Sequence, residues 1–206
     1  MILASSIATV VTLMSACGVS AEDFFFQFIG GSQIINNQRL RANNSIPALS
    51  LGVTEGPYNP SDHFSRLRIV NGVTTTLAIV PTNPHPPPIA GYYVLDGNEQ
   101  VEGAERLAMS YRVASEGSKY RYTEWEVKED KEGRKLLRYK EDEGYRWIAK
   151  QEKGKDGVKR WVPYWVSPTA RNMGSQSNWE YDDVDLELVE AKGSVNSSAP
   201  GGVTEP

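Results

Sequence analysis

The stretch KEGRKLLRYKEDEGYRWIAKQEKGKDGVKRWVPYWV, residues 131–166, decides the fold. Its uncharged positions are mostly Trp, Tyr, Leu, Val and Ile, and the aromatic and β-branched residues among them favour strands. Three of its turn segments end in glycine, which tolerates the positive φ of hairpin turns: Gly133, Gly144 and Gly157. A helix over 124–143 is the main alternative, because Glu and Lys are frequent there. We predict instead a meander of antiparallel hairpins with strands over 120–127, 135–139, 145–150 and 160–166.

Shorter apolar runs extend this β pattern to both sides. FFFQF at 24–28 indicates a buried strand that ends at Gly30 and Gly31, and Val and Leu alternate with Asp and Glu over 184–188. Further strands are predicted over 33–40, 48–51, 64–70, 74–80, 91–95 and 107–113. The fold class is therefore all-β, a single antiparallel β-sandwich or barrel with a meander of hairpins in the C-terminal half.

The N-terminal segment 1–21 has the pattern of a signal peptide. An uncharged apolar run is followed by small residues, with Val19 and Ala21 at the third and first places before a cut. The alternative is a bacterial lipoprotein anchored through Cys17, because Met14 to Cys17 resembles a lipobox. We therefore expect a secreted, extracellular chain with a β-rich domain over 22–190, a stiff proline-rich connector at 81–88, and a disordered Gly/Ser/Pro tail over 191–206.

Composition narrows the possible partners. Cys17 is the only cysteine of the chain, so the domain after the signal has no disulfide and no thiolate metal ligand. The net charge of −4 is mild and no basic patch stands out, which argues against nucleic acid as a partner. No second apolar run predicts a transmembrane segment, and no motif predicts a cofactor. Asn43 and Asn196 begin glycosylation sequons, relevant only to a eukaryotic host.

Aromatic residues are concentrated between Tyr120 and Tyr181. The simpler interpretation is that these rings fill the core of a domain without disulfides, because large rings are usually well buried. The alternative is an exposed platform on which a sugar ring stacks. Side chains two apart on a strand share a face, so Trp161 and Trp165 point opposite to Tyr164. We expect exposure at Trp161 and Trp165, and the candidate ligand-binding residues are Trp161, Trp165, Tyr145 and Trp147.

Support for catalysis is weaker. His63 lies beside Asp62 and two serines, but neighbours on a strand point to opposite faces and do not form a triad. His85 lies among prolines, and neither histidine has metal-ligand spacing to another ligand, so we predict no catalytic residue and no metal site. The acids of the turn segments are interpreted as solvated surface residues: Asp130, Glu132, Glu141, Asp142 and Glu143. A secreted carboxylate-dependent hydrolase, similar to a glycosidase, remains the alternative from another class.

A Phe-rich strand follows the signal, and Ile34, Ile35 and Leu40 precede the segment LSLG at 49–52. Near the end, the segment WVSP at 165–168 is followed by Trp179. This layout resembles that of small secreted fungal cell-surface, cell-wall-associated β-rich proteins, which usually carry cysteine where Ser167 stands. The resemblance implies an extracellular or cell-wall location and a β-rich fold. The leading hypothesis is a non-catalytic binding or structural protein that contacts polysaccharide, and a host-directed factor that binds a protein partner is a further alternative.

Overall fold

The computed structural model describes residues 22–42, 51–55, 63–72, 74–80, 91–97, 101–110, 119–140, 143–154, 157–176 and 179–191. These residues form fourteen strands and one helix. In chain order the elements are β1 (Asp23–Gly30), β2 (Arg41–Ala42), β3 (Leu51–Thr54), β4 (His63–Phe64), β5 (Arg66–Asn71), β6 (Thr75–Val80), β7 (Tyr92–Asp96), β8 (Ala104–Ser110), β9 (Tyr120–Arg121), β10 (Trp125–Glu129), β11 (Lys135–Tyr139), β12 (Arg146–Lys153), β13 (Lys159–Val166), α1 (Pro168–Gln176) and β14 (Tyr181–Glu190).

Eight of the strands close into an antiparallel barrel. Around the ring the order is β14, β1, β5, β6, β7, β8, β13, β12 and β14 again. The closing pair joins β12 to β14, with Ile148 opposite Asp183. Closure pairs the strand edges that an open sheet would expose. The prediction of an all-β antiparallel fold is confirmed, and the architecture is a barrel with extra strands.

Alternation with a period of two along β1 and β14 builds part of the barrel interior. Phe24, Phe26 and Phe28 of β1 are buried, whereas Phe25 and Gln27 between them are only half-buried. The same period of two buries Val184, Leu186 and Leu188 of β14, as the sequence predicts. Each fully buried large apolar side chain stabilises the fold by about 1.5–3 kcal/mol relative to exposure. The aromatic rings therefore hold the barrel together from within.

Strand β13 is buried on both faces because α1 covers its outer face. Val162, Tyr164 and Val166 pack with Ala170 of the helix in a second cluster outside the barrel. The helix was not predicted from the sequence, although its start is marked by Ser167 and Pro168. The Ser167 hydroxyl accepts a hydrogen bond from the backbone N–H of Ala170 at 3.0 Å, and Pro168 is the first helical residue.

The hairpin of β10 and β11, called the hairpin cap below, extends over the barrel core. Its strands pair with Trp125 opposite Tyr139, so the helix alternative for 124–143 is wrong. The predicted strand 120–127 is interrupted at Glu124, which has a φ of 68°. Strand β11 pairs with β14 at Leu136, and β10 approaches β6 across the barrel. The inner face of the cap adds Trp125, Val127, Leu137 and Tyr139 to the core.

One predicted strand, 33–40, is wrong over most of its length. Residues 33–37 form a turn, and Asn37 has a φ of 61°, a left-handed conformation that Asn tolerates better than most residues. The chain then returns along β1, where the backbone N–H of Leu40 donates to the Phe26 carbonyl at 2.9 Å. The predicted strands 64–70, 74–80, 91–95 and 107–113 coincide with β5 to β8 with shifted ends, as far as the described ranges extend. The predicted strand 48–51 lies outside the described residues except for Leu51, where β3 begins.

Candidate functional site

Three of the four predicted ligand-binding aromatics lie inside the barrel. Trp147 is 1% exposed, Trp161 5% and Trp165 1%. The expectation that Trp161 and Trp165 are exposed is therefore wrong. They do share a face, as predicted, but that face is the barrel interior, while Tyr164 lies in the outer cluster with α1. The simpler interpretation of these rings as core residues is confirmed.

Trp161 is held by a polar contact at the edge of the core. Its indole N–H donates to the Glu55 carboxylate at 2.6 Å, and the side-chain amide of Gln151 donates to the same oxygen at 2.8 Å. The indole of a buried tryptophan normally needs such an acceptor. Trp161 therefore has a structural role that links β13 to the end of β3.

Tyr145 is the one predicted ligand-binding residue that is partly open to solvent, and it heads a column of rings. It stacks on Trp165 with a centroid separation of 6.0 Å and an interplanar angle of 29°. Trp165 in turn packs against Trp147 at 5.1 Å. The indole N–H of Trp147 donates to the carbonyl of Leu137 in the hairpin cap at 2.7 Å. The column thus connects the surface, the barrel and the cap.

An open groove of about 500 Å³ lies where this column reaches the surface. It separates the outer face of the hairpin cap from the segment that enters β12. We call it the aromatic groove, and it is lined by Glu126, Lys128, Arg138, Tyr139, Glu143, Gly144, Tyr145 and Trp165. This size falls within the range of small-molecule pockets, about 300–1,000 Å³. The lining therefore combines aromatic rings with charged side chains.

The charged side of the groove comes from the outward positions of the cap. Glu126 and Arg138 lie directly opposite each other in the pairing of β10 with β11. The Lys128 ammonium lies 3.0 Å from the Glu126 carboxylate, and the Arg138 guanidinium lies 2.5 Å from Asp185 of β14. These residues were not identified from the sequence, because their position beside Tyr145 depends on how the cap folds back over the barrel.

The turn of the hairpin cap is fastened by Asp130. Its carboxylate accepts the backbone N–H groups of Glu132 at 2.9 Å and of Arg134 at 3.0 Å, and the Arg134 side chain at 2.7 Å. The backbone hydrogen bond from Arg134 is the main cause that lowers the pKa of Asp130, with its guanidinium adding to the effect against an opposite influence of burial. Asp130 lies at the turn, as the sequence predicts, and its carboxylate in addition holds that turn together.

This clamp predicts acid sensitivity of the cap. Because the pKa of Asp130 is lower when folded than when unfolded, its stabilising effect is present above about pH 4 and is lost as the pH falls further. We expect Asp130→Asn to lower the stability at neutral pH, and the difference from the wild type to disappear in acid. Urea unfolding between pH 7 and pH 2.5 measures this. Lys131→Gln, which removes the charge of an exposed side chain in the same turn, is the control. A difference that stays constant with pH would contradict the role of the clamp.

The remaining predicted features of chemical interest lie either in a short strand or outside the described residues. His63 lies in the short strand β4, where it pairs with Ala42. Over the ranges that the structure describes, no three His, Cys, Asp or Glu side chains cluster as a metal site would require. In those same ranges, no helix combines the length and the apolar character needed to cross a membrane. The segments 1–21, 81–88 and 192–206, which include Cys17, His85 and the sequon residue Asn196, lie outside the described residues. The same is true of the sequon residue Asn43 and of the turn acids Glu141 and Asp142.

The fold and the groove together define a closed antiparallel β-barrel, capped by a hairpin, with an aromatic groove beside the cap. No family model matches the chain, and no curated protein and no solved structure shows significant similarity to it.

Proposed function

We propose that the chain is a secreted, non-catalytic extracellular or cell-wall-associated protein that binds polysaccharide in the aromatic groove. The observation that carries the proposal is the partly exposed Tyr145 ring, stacked on buried Trp165 beside charged groups. Export rests on the signal-peptide pattern of residues 1–21, and anchoring through Cys17 is the alternative within the same location.

The chemistry of the groove suits a neutral or weakly charged sugar. One face of a pyranose ring presents C–H groups, which pack against an aromatic ring, while its hydroxyls need donors and acceptors around the edge. Tyr145 supplies the ring. Glu126 supplies acceptors, and Lys128 and Arg138 supply donors. The exposed lining of the groove is more polar than apolar, which suits a ligand rich in hydroxyl groups.

The ring is also held in place before any ligand arrives. Trp165 lies under Tyr145, and Trp147 lies against Trp165 and is hydrogen-bonded to the cap. A binding surface that is already ordered loses less conformational entropy when it binds. The buried tryptophans therefore support the site although they do not contact the ligand.

Tyr145→Ala is the direct test of this proposal. We expect the domain 22–206 to be retained on one or more of insoluble chitin, β-glucan and cellulose, and we expect Tyr145→Ala to bind about tenfold or more weakly, since a lost stacking contact of about 1.4 kcal/mol corresponds to that factor. Binding isotherms by sedimentation, with intrinsic fluorescence as a second readout, measure the effect. Tyr120→Ala is the matched control, because Tyr120 is 36% exposed and is not among the groove residues.

The same samples separate binding from hydrolysis. Glu126 and Glu143 both line the groove, so this pair is the candidate for a hydrolase that acts there. If the groove only binds polysaccharide, we expect the protein to be retained without release of reducing ends. We also expect Glu143→Gln to be retained as well as the wild type. Release of reducing ends that Glu143→Gln abolishes would assign the groove to catalysis instead. Absence of retention on all three polysaccharides would overturn the proposed function.

A further inference from the structure

A second surface, outside the aromatic groove, combines arginine with phenylalanine. It lies on the outer side of β1, β5 and the chain around β2. Outward positions alternate there with buried ones, so that Leu40 and Leu67 point inward between pairs of arginines. We call this surface the arginine face, and it comprises Arg39, Arg41, Arg66, Arg68, Phe25 and Phe64. The sequence pattern Arg-Leu-Arg, present at 39–41 and again at 66–68, was the signal that could have revealed it.

Contacts between rings and guanidinium groups fix these side chains. Arg39 lies 4.8 Å and Arg66 5.9 Å from the centre of the Phe25 ring, and Arg41 lies 4.1 Å from the centre of the Phe64 ring. The two rings meet edge to face at 5.9 Å. A guanidinium held over a ring face keeps its N–H groups directed sideways, so it can still bind an anion while stacked.

The arginine face is positively charged on a protein of net charge −4. Asp23 makes ion pairs with Arg66 and Arg68, both at 2.9 Å. Among the residues that the structure describes, the charged groups of this surface are four guanidinium groups and the Asp23 carboxylate, and Arg41 makes a further contact. No basic run in the sequence marks this surface, because its arginines come from separate segments that are brought together by the pairing of β2 with β4 and of β1 with β5.

We propose that the arginine face is a docking surface for an acidic polypeptide of a partner protein. Carboxylates fit the planar fork of arginine in a bidentate manner, which favours Asp and Glu side chains as the groups that are bound. Phe64 is 38% exposed and offers an apolar contact at the centre of the charges. Because guanidinium groups already lie over both rings, stacking of a sugar or a nucleic-acid base on them is disfavoured.

An adjoining groove extends the surface along β14. It has a volume of about 510 Å³ and is lined by Phe25, Arg39, Arg134 and Lys135 together with Glu187 and Glu190 of β14. Because these two glutamates add negative charge there, a peptide whose carboxylates bind the arginines would continue into this groove with residues that are not acidic. This proposal is independent of polysaccharide binding, because none of its residues lines the aromatic groove.

A labelled peptide of alternating Glu and Leu residues tests the proposal by fluorescence anisotropy on domain 22–206. We expect it to bind, and Arg39→Gln combined with Arg41→Gln to weaken binding about tenfold or more, since removing charged contacts worth about 1.4 kcal/mol has that effect. Arg39→Lys with Arg41→Lys keeps the charge but loses the fork, and we expect it to fall between the two. Lys153→Gln with Lys159→Gln removes the same charge from exposed positions elsewhere and should leave binding unchanged.

Three results would overturn the assignment. One is wild-type affinity in the Arg39→Gln, Arg41→Gln variant when its circular dichroism is also that of the wild type. Another is an equal loss in the lysine control, which would indicate attraction by overall charge. The third is a failure of the peptide to compete as the preferred ligand. This would be seen either as no binding of the peptide or as tighter binding of polygalacturonate or single-stranded DNA. Tyr145→Ala should bind the peptide normally, so failure of the aromatic groove and failure of the arginine face are distinguishable.

Discussion

Replacing Trp147 by alanine should lower the free energy of unfolding by about 3–5 kcal/mol, the range for truncating a buried large aromatic residue. Trp147 is 1% exposed and packs against Trp165. Its indole N–H also donates a hydrogen bond to the Leu137 carbonyl, so truncation leaves this carbonyl without its donor inside the core. Because that bond joins the barrel to the hairpin cap, we expect the cap to loosen first.

Urea unfolding followed by circular dichroism measures the loss, and hydrogen exchange at the β10 and β11 amides reports on the cap. Trp147→Phe separates the two contributions, since it keeps a ring but loses the N–H donor. We expect it to be intermediate in stability and to expose the cap amides to exchange. Tyr120→Ala, at an exposed position, should change stability by only about 0.5 kcal/mol or less. A loss below about 1 kcal/mol for Trp147→Ala would contradict the central place given to this ring.

Gly103→Ala should destabilise the domain by about 2–4 kcal/mol, because two independent costs combine. Gly103 has a φ of +79°, a left-handed conformation that costs an L-residue about 1–2 kcal/mol. A Cβ placed there would lie 2.5 Å from the Ser167 hydroxyl and 3.1 Å from its Cβ. The hydroxyl that must move is the one that caps α1, so the helix loses a contribution of about 1 kcal/mol as well.

Ser167→Ala is the matched variant for this position. Alone it should cost about 1 kcal/mol, the value of the cap. Combined with Gly103→Ala it should cost less than the sum of the two single effects, because the hydroxyl that collides with the new methyl group is gone. Thermal unfolding of the four proteins completes the cycle. Strictly additive losses would show that the close approach of Gly103 to Ser167 does not matter.

Much of the fold is predictable from the local pattern of apolar and polar residues. The strand ends of β11 and the buried positions of β1 and β14 were predicted, because alternation with a period of two reports directly on which side chains face a core. Closure of the barrel was not predictable, since β12 is paired with β13 and also with β14, and these partners are set by packing over long distances. Helix α1 was missed although Ser167 and Pro168 mark its start.

The candidate site was harder to predict for the same reason. Sequence showed that Trp161 and Trp165 share a face but not that the face is the interior, because aromatic residues suit both a core and a platform. Tyr145 was among the predicted residues, whereas its charged neighbours Glu126 and Arg138 reach it only through the fold of the cap. The arginine face likewise joins short segments that are separate in the chain.

Amide chemical shifts of the domain 22–206, recorded while a soluble β-glucan or chitin oligosaccharide is added, test the binding proposal most directly. The account predicts that the largest changes fall on Glu143 to Tyr145 and on Glu126 and Arg138 across the groove, with the indole N–H of Trp165 responding beneath them. It predicts little change at Phe25 and Arg39 on the arginine face. Shifts confined to residues away from the groove, or no shifts with any of these sugars, would contradict the account.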